Sequence, residues 1–233
     1  MPKRAPRLNR GWPTIVIVNH SDNVTQKRLR EVVRALQKQI DRDFFPVWGW
    51  RAKLSLRAKA SNKLMSVTLR SRDRSGSGDA GYHVNDQGIP SALVFTHGNG
   101  GDEQDLFATL SHEVLEMIAD PALNLYASAH RTFRGRLHRV FVGVEVCDPV
   151  QYCFYEIDGI QVSDFVVPEW FESQRPAGSM KFSFKGNVDA PLKVAKDGYK
   201  DVVIKGELVQ VGGPRGKARH HMRERARVLG GKS

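Results

Sequence analysis

The residues of this chain best placed to act together lie in Ser111-His-Glu-Val-Leu-Glu-Met-Ile-Ala-Asp120. Leu106, Phe107, Leu110, Val114, Met117 and Ile118 recur at helical spacing, which predicts one amphipathic helix from about Glu103 to Ala119, ended by Pro121. Such a helix sets His112, Glu116 and Asp120 in one row, with Glu113 at the edge of the apolar face. An imidazole and a carboxylate one turn apart stand roughly 5–6 Å apart at Cβ. That is close enough to share one Zn²⁺ at about 2.0–2.2 Å from each donor atom. Glu113 would then face the open coordination position and take a proton from water there, the arrangement of H-E-x-x-H zinc hydrolases with Glu in place of the second His. A second anionic ligand neutralises more of the metal's charge, so the water should be less acidic than beside two neutral imidazoles. The same letters also spell an ordinary solvated stripe, held by i,i+4 pairs worth about 0.2–0.5 kcal/mol each.

Further donors are needed to decide between these readings. In Val140-Phe-Val-Gly-Val-Glu-Val146, alternation predicts a strand with Glu145 on the face of Phe141 and Gly143. A carboxylate buried there requires a partner, and a cation would be one. Asp148 follows at the strand end. His83 and His97 flank the same cleft in this reading, although a lone His on a strand is more often a satisfied core residue. Cys147 and Cys153 form no C-x-x-C pair and read as buried thiols.

Several elements must hold these residues in place. Thr14-Ile-Val-Ile-Val18 predicts a buried strand, and Leu29, Val32, Val33, Leu36 and Ile40 one stripe of a helix from about Thr25 to Arg42. Pro46 then introduces an aromatic strand over 47–56, and Leu64–Leu69 a further strand before a Ser/Gly/Arg/Asp loop over 71–79. Gly81-Tyr-His83 and Ala92–Thr96 pair across a turn at Gly88, and Tyr152–Val162 folds back at Asp158-Gly159. Val202–Ile204 and Leu208–Val211 are the last strand-like pieces.

The 233 residues are 40% hydrophobic, enough to fill the core of one ordinary domain. No apolar run reaches the roughly 18–20 residues of a membrane span, and the basic start leads into a short strand and not a signal-peptide core, so a cytoplasmic protein is expected. The net charge of +11 is unevenly spread. Residues 1–10 hold four cations and no anion, and 213–233 hold seven cations and one anion, which leaves +1 for 11–212. A nearly neutral body argues against a nucleic-acid-binding face on it. Any contact with nucleic acid or another acidic partner falls to the basic ends, which serve equally well as solvating tails.

Taken together, Ser111–Pro121 and the downstream Glu145-Val-Cys-Asp148 resemble the H-E-x-x-E metalloprotease-like, zincin-type domains of bacterial and phage proteins. They more distantly resemble the plant phosphate-induced EXORDIUM-like proteins. Tyr155–Phe165 is similar to the closing hairpin of the bacterial group and Ala35–Phe44 to its first helix. The resemblance covers roughly 13–200 and implies an α+β, zincin-like fold, a mixed sheet packed on the motif helix; the single domain is expected over 13–211, between a basic tail at 1–12 and a disordered basic tail at 212–233 that the resemblance does not reach. It further implies His112 and Glu116 as Zn²⁺ ligands, Glu145 or Asp148 as the third, and Glu113 as the base of a hydrolase acting on peptides or proteins. A catalytically silent, metal-stabilised or metal-free interaction module on the same fold is the alternative.

Overall fold

Strand β1 (Thr14–His20) is buried at Ile15, Val16, Ile17 and Val18, so side chains on both of its faces are covered. This is the condition under which a continuous β-branched run is favoured over an alternating one. β2 (Lys53–Arg57) and β3 (Met65–Arg70) lie parallel to β1 on either side of it, and β5 (Ile89–Phe95) lies parallel to β3. β4 (Gly81–Asp86) runs antiparallel to β5 and forms the edge, giving the mixed order β2-β1-β3-β5-β4. The computed structural model describes residues 11–60, 62–73, 80–86, 88–97, 102–133 and 135–213. The expected tails at 1–12 and 212–233 lie almost wholly outside these, as does most of the 71–79 loop.

Parallel neighbours need a crossover, and the one between β1 and β2 is helical. α1 (Gln26–Lys38) starts at Thr25, whose hydroxyl accepts the Arg28 N–H. The helix does not stop near Arg42. It widens into a π-helical segment, Gln39–Phe44, and closes as α2 (Phe45–Trp48), with Gly49 left-handed at its end. Pro46 occupies the first turn of α2, where no N–H is needed, so it does not introduce the expected strand. The wider turn buries Gln39, Ile40, Asp43 and Phe44 together.

The motif helix α3 (Glu103–Ala119) has the expected bounds, with Asp102 capping the Gln104 N–H. One side packs on β5, β4 and β3, the other on the hairpin of β8 (Phe154–Ile157) and β9 (Ile160–Ser163). Asp158 and Gly159 are both left-handed at the tip of that hairpin, as a two-residue turn of this hand requires. Covered on two sides, α3 buries every residue from Leu110 to Ala119. The solvated-stripe reading of its polar residues is therefore excluded.

The rest of the chain forms an antiparallel sheet in the order β11-β10-β7-β6. Its strands are β6 (Tyr126–Phe133), β7 (Arg136–Gly143), β10 (Tyr199–Ile204) and β11 (Glu207–Gly212). β6 is a strand beyond those the sequence predicts, and β7 stops at Gly143. Glu145 thus lies in an irregular buried segment beyond the strand and not within it. The buried apolar residues of both sheets and α3 join in one core cluster, so the molecule is α+β. Cys147 is a buried free thiol; Cys153, also free, is only half-buried.

Candidate metal centre

Ser111, just before the motif histidine, fixes α3 in rotation. Its hydroxyl donates to Gln39 Oε1 at 2.8 Å and accepts the Ser163 N–H at 3.0 Å. Gln39 Nε2 completes the ring by donating to the Ser163 carbonyl at 2.8 Å and to the Tyr155 hydroxyl at 3.1 Å. The π-helical segment, α3 and β9 are thereby tied together one residue from His112.

Four segments bring donors to one place. From α3 come His112, Glu113 and Glu116, which are 9%, 5% and 3% exposed. From β4 comes His83, 1% exposed, on the same face as Gly81. Gly81 lies so close to α3 that a Cβ there would stand 2.8 Å from Thr109 Cγ2 and 3.1 Å from Glu113 Oε1. The segment after β7 brings Glu145 and Cys147, and the 3₁₀ turn Asp148–Val150 brings Asp148; all three are buried.

Glu116 organises the group. Its Oε1 accepts the N–H groups of Cys147 at 3.2 Å and Asp148 at 3.3 Å, which draws that segment onto the helix. Its Oε2 is 3.2 Å from His112 Nε2 and 3.9 Å from His83 Nδ1. His112 Nε2 is also 3.2 Å from Asp148 Oδ1, and His83 Nδ1 is 3.5 Å from Glu113 Oε2. Donor atoms of His112, Glu116 and Cys147 all lie within 4.8 Å of one another, and so do those of His83, Glu116 and Glu145. No protein-family model, curated protein or solved structure matches the chain.

Glu145 and Asp148, which the sequence left as alternatives, therefore fall on different sides of Glu116. Asp148 meets His112, while Glu145 joins His83. Asp120, fourth along the helix from Glu116, belongs to neither: it accepts the N–H groups of Asn124 and Leu125, each at 3.0 Å, and fastens the chain leaving the helix. His97 is exposed, its backbone N–H bonded to the Ser71 carbonyl. Of the two histidines expected beside the cleft, His83 joins the group and His97 does not, and Cys147 is the member that the sequence reading placed only as a buried thiol. The signal for His83 was its place two residues from Gly81 on a strand beside the motif helix. Cys147 had only its position inside Glu145-Val-Cys-Asp148.

The electrostatics suit a cation. Burial lowers the pKa of His83, but the carboxylates of Glu145, Glu113 and Glu116 outweigh it and raise the group to about 9. His112 is likewise lowered by burial and lifted well above its ordinary range by Glu116 and Asp148. Burial and the Asp148 carboxylate raise Glu116, against the opposing pull of His112. Burial and then Glu116 push the Cys147 thiol well up, which keeps it protonated.

The donor set also passes a test of fit. Around a tetrahedral Zn²⁺ with ligands at 2.0–2.2 Å, neighbouring donors stand about 3.3–3.6 Å apart. Nitrogen–oxygen hydrogen bonds fall at about 2.7–3.2 Å. The two contacts of His112 Nε2, with Glu116 Oε2 and Asp148 Oδ1, are both 3.2 Å, where the outer limit of hydrogen bonding meets the metal–donor edge, and donor atoms of His112, Glu116 and Cys147 converge within 4.8 Å. Glu113 Oε2 is buried without a hydrogen bond among the described residues, 3.5 Å from His83 Nδ1, an arrangement that costs free energy in a protein interior and that a proton or cation beside it would offset. Imidazole nitrogen with carboxylate oxygen is a donor chemistry that zinc accepts.

Proposed function

We propose that the chain is a zinc-dependent hydrolase of zincin type, acting on peptide bonds. The observation that carries this reading is the meeting of His112 Nε2 with Glu116 Oε2 and Asp148 Oδ1, both at 3.2 Å, with Glu113 next to them in the same buried group. His112, Glu116 and Asp148 would hold the zinc. Asp148 is taken as the third donor on its 3.2 Å contact with His112 Nε2, with the Cys147 thiol in reach of the same pair. The mixed sheet with an antiparallel edge strand beside the motif helix is consistent with the zincin-like architecture expected from the sequence.

When bound, the zinc would polarise a substrate carbonyl and make water a stronger acid. Glu113 accepts the proton of the attacking water on its carboxylate and returns it to the departing amine nitrogen, so the group ends the cycle as it began. General-base help of this kind contributes about 10²–10⁴ in rate. Gly81 leaves room for the Glu113 carboxylate, and His83 Nδ1 lies 3.5 Å from it. His112 keeps the largest exposure of the set, 9%, so an opening to substrate would lie on its side.

One observation favours a second reading, a catalytically silent domain stabilised by its cation: Glu113 and Glu116 are almost wholly buried. Metal analysis and turnover separate the two. Protein purified without a His tag is assayed for zinc and for cleavage of an unfolded protein such as casein. His112→Ala should lose both the zinc held by this set and activity; Glu113→Gln should keep zinc and lose activity by about 10²–10⁴. Zinc with no turnover in the wild-type chain would support the silent domain.

A further inference from the structure

We propose that the chain holds a second divalent cation in an inner position formed by His83, Glu116 and Glu145, with Glu116 shared between it and the His112–Asp148 side. It adds to the proposed function and depends on it only through that shared carboxylate.

Three features of the geometry point to it. First, donor atoms of His83, Glu116 and Glu145 converge within 4.8 Å, and all three residues are at most 3% exposed. They come from an edge strand, a helix and an irregular segment, so the convergence is not a product of local sequence. Second, the contacts of His83 with two of its carboxylate neighbours are long. His83 Nδ1 stands 3.5 Å from Glu113 Oε2 and 3.9 Å from Glu116 Oε2, beyond the about 2.7–3.2 Å of such bonds. Glu113 Oε2 makes no hydrogen bond among the described residues while lying buried. A buried imidazole whose Nδ1 faces two carboxylates at these distances leaves room for a cation between them. Third, Glu116 Oε2 lies between the two imidazoles, 3.2 Å from one and 3.9 Å from the other, and its Oε1 is pinned by two backbone N–H groups. A carboxylate fixed in this way can serve cations on both sides. Two-metal hydrolytic sites commonly place their ions about 3.5–4 Å apart across shared oxygen ligands.

The donor chemistry narrows the ion. One imidazole with two carboxylates, and Glu113 alongside, suits Zn²⁺, Co²⁺ or Mn²⁺, and offers no sulfur for a soft cation. The outer position differs in having Cys147 within reach.

The test is a count of bound ions. The untagged full-length chain is stripped with a chelator, titrated with Zn²⁺ alone and examined by native mass spectrometry. His83→Ala, the isosteric Glu145→Gln and His112→Ala are treated in parallel. A His83→Ala/His112→Ala double variant sets the background from other histidines, and circular dichroism checks each fold. Two ions above background in the wild-type chain are expected, with one remaining in each single variant. Co²⁺ in place of Zn²⁺ should give a spin-coupled signal that His83→Ala and Glu145→Gln both abolish. One ion in the wild-type chain, retained by His83→Ala and Glu145→Gln and lost in His112→Ala, would overturn the inner position and leave the proposed function standing. One ion retained by His112→Ala and lost in His83→Ala would support the inner position and remove the basis of the hydrolase. No ion at all would overturn both.

Discussion

Asp148 Oδ1 stands 3.2 Å from His112 Nε2 because Glu116, one helical turn after His112, accepts the backbone N–H of Asp148 itself. The helix thus supplies two donors and recruits the third through a main-chain bond. It follows that Asp148→Asn should weaken zinc binding at the His112 side by at least about 10–100-fold, the loss found when even an outer partner of a metal ligand is removed. Glu145→Gln should leave binding at that side within a few-fold of wild type. Competition with a chromophoric chelator checks both, and the reverse order of effects would transfer the third-ligand role to Glu145.

Gly81 bears on Glu113 through space alone. A methyl group at 81 would press on Thr109 Cγ2 and Glu113 Oε1, and backbone stands behind it at Leu93 O, 3.2 Å away. Gly81→Ala should therefore displace the Glu113 carboxylate and lower kcat by up to about 100-fold, the scale of a 1 Å misplacement near the reacting atoms. Zinc content and KM should change little. An Ala variant with full activity would show that Glu113 does not need its present position.

Proton competition sets the pH dependence of metal uptake. In the metal-free protein His83 titrates at about 9 and His112 lies well above its ordinary range, so near neutrality both imidazoles carry a proton that a cation must displace. Zinc affinity should rise with pH between 6 and 8, by about tenfold per unit for each proton released. The stability of the metal-free protein should move the other way. A histidine whose folded-state value is raised stabilises the fold below its unfolded value of 6.5 and loses that contribution as pH passes through about 9. Raised Glu116 acts in the same direction. Calorimetry with and without zinc at several pH values checks the pair of slopes; zinc affinity independent of pH would contradict the protonated state assigned to the metal-free site.

Ser111 carries structural weight beside the chemistry. Ser111→Ala removes the acceptor of the Ser163 N–H and the donor to Gln39 Oε1, leaving both buried groups without that partner. The expected cost is about 1–3 kcal/mol. For a chain of this size that is a Tm lower by roughly 2–4 °C per kcal/mol, read by calorimetry on the zinc-free protein. An unchanged Tm would mean that the tie between the π-helical segment and β9 does not fix α3.

Much of this architecture was legible because its signals are local. The apolar stripe of α3, the β-branched run of β1 and the left-handed pair Asp158-Gly159 each write their structure within a few residues. What was not legible depends on distant partners. β6 reads as Tyr-Ala-Ser-Ala-His-Arg-Thr-Phe, with no clear alternation, and is a strand because β7 pairs along its whole length. Pro46 reads as a helix breaker, yet a helix that restarts after a π-turn accepts it in the new first turn. Glu145 reads as part of a strand because Val and Gly continue around it, but the chain turns toward Glu116 instead, and the two bonds that turn it are from backbone N–H groups, invisible in side-chain pattern. The juxtaposition of His83 with Glu113 is set by sheet order, which places β4 at the edge beside α3.

The most direct measurement is diffraction from zinc-soaked crystals of the full-length chain on both sides of the zinc absorption edge. An anomalous peak within about 2.0–2.2 Å of His112 Nε2 and Glu116 Oε2 is the predicted result. Crystals in which zinc binds elsewhere, with no anomalous density between His112, Glu116 and Asp148, would contradict the metal centre and the hydrolase built upon it.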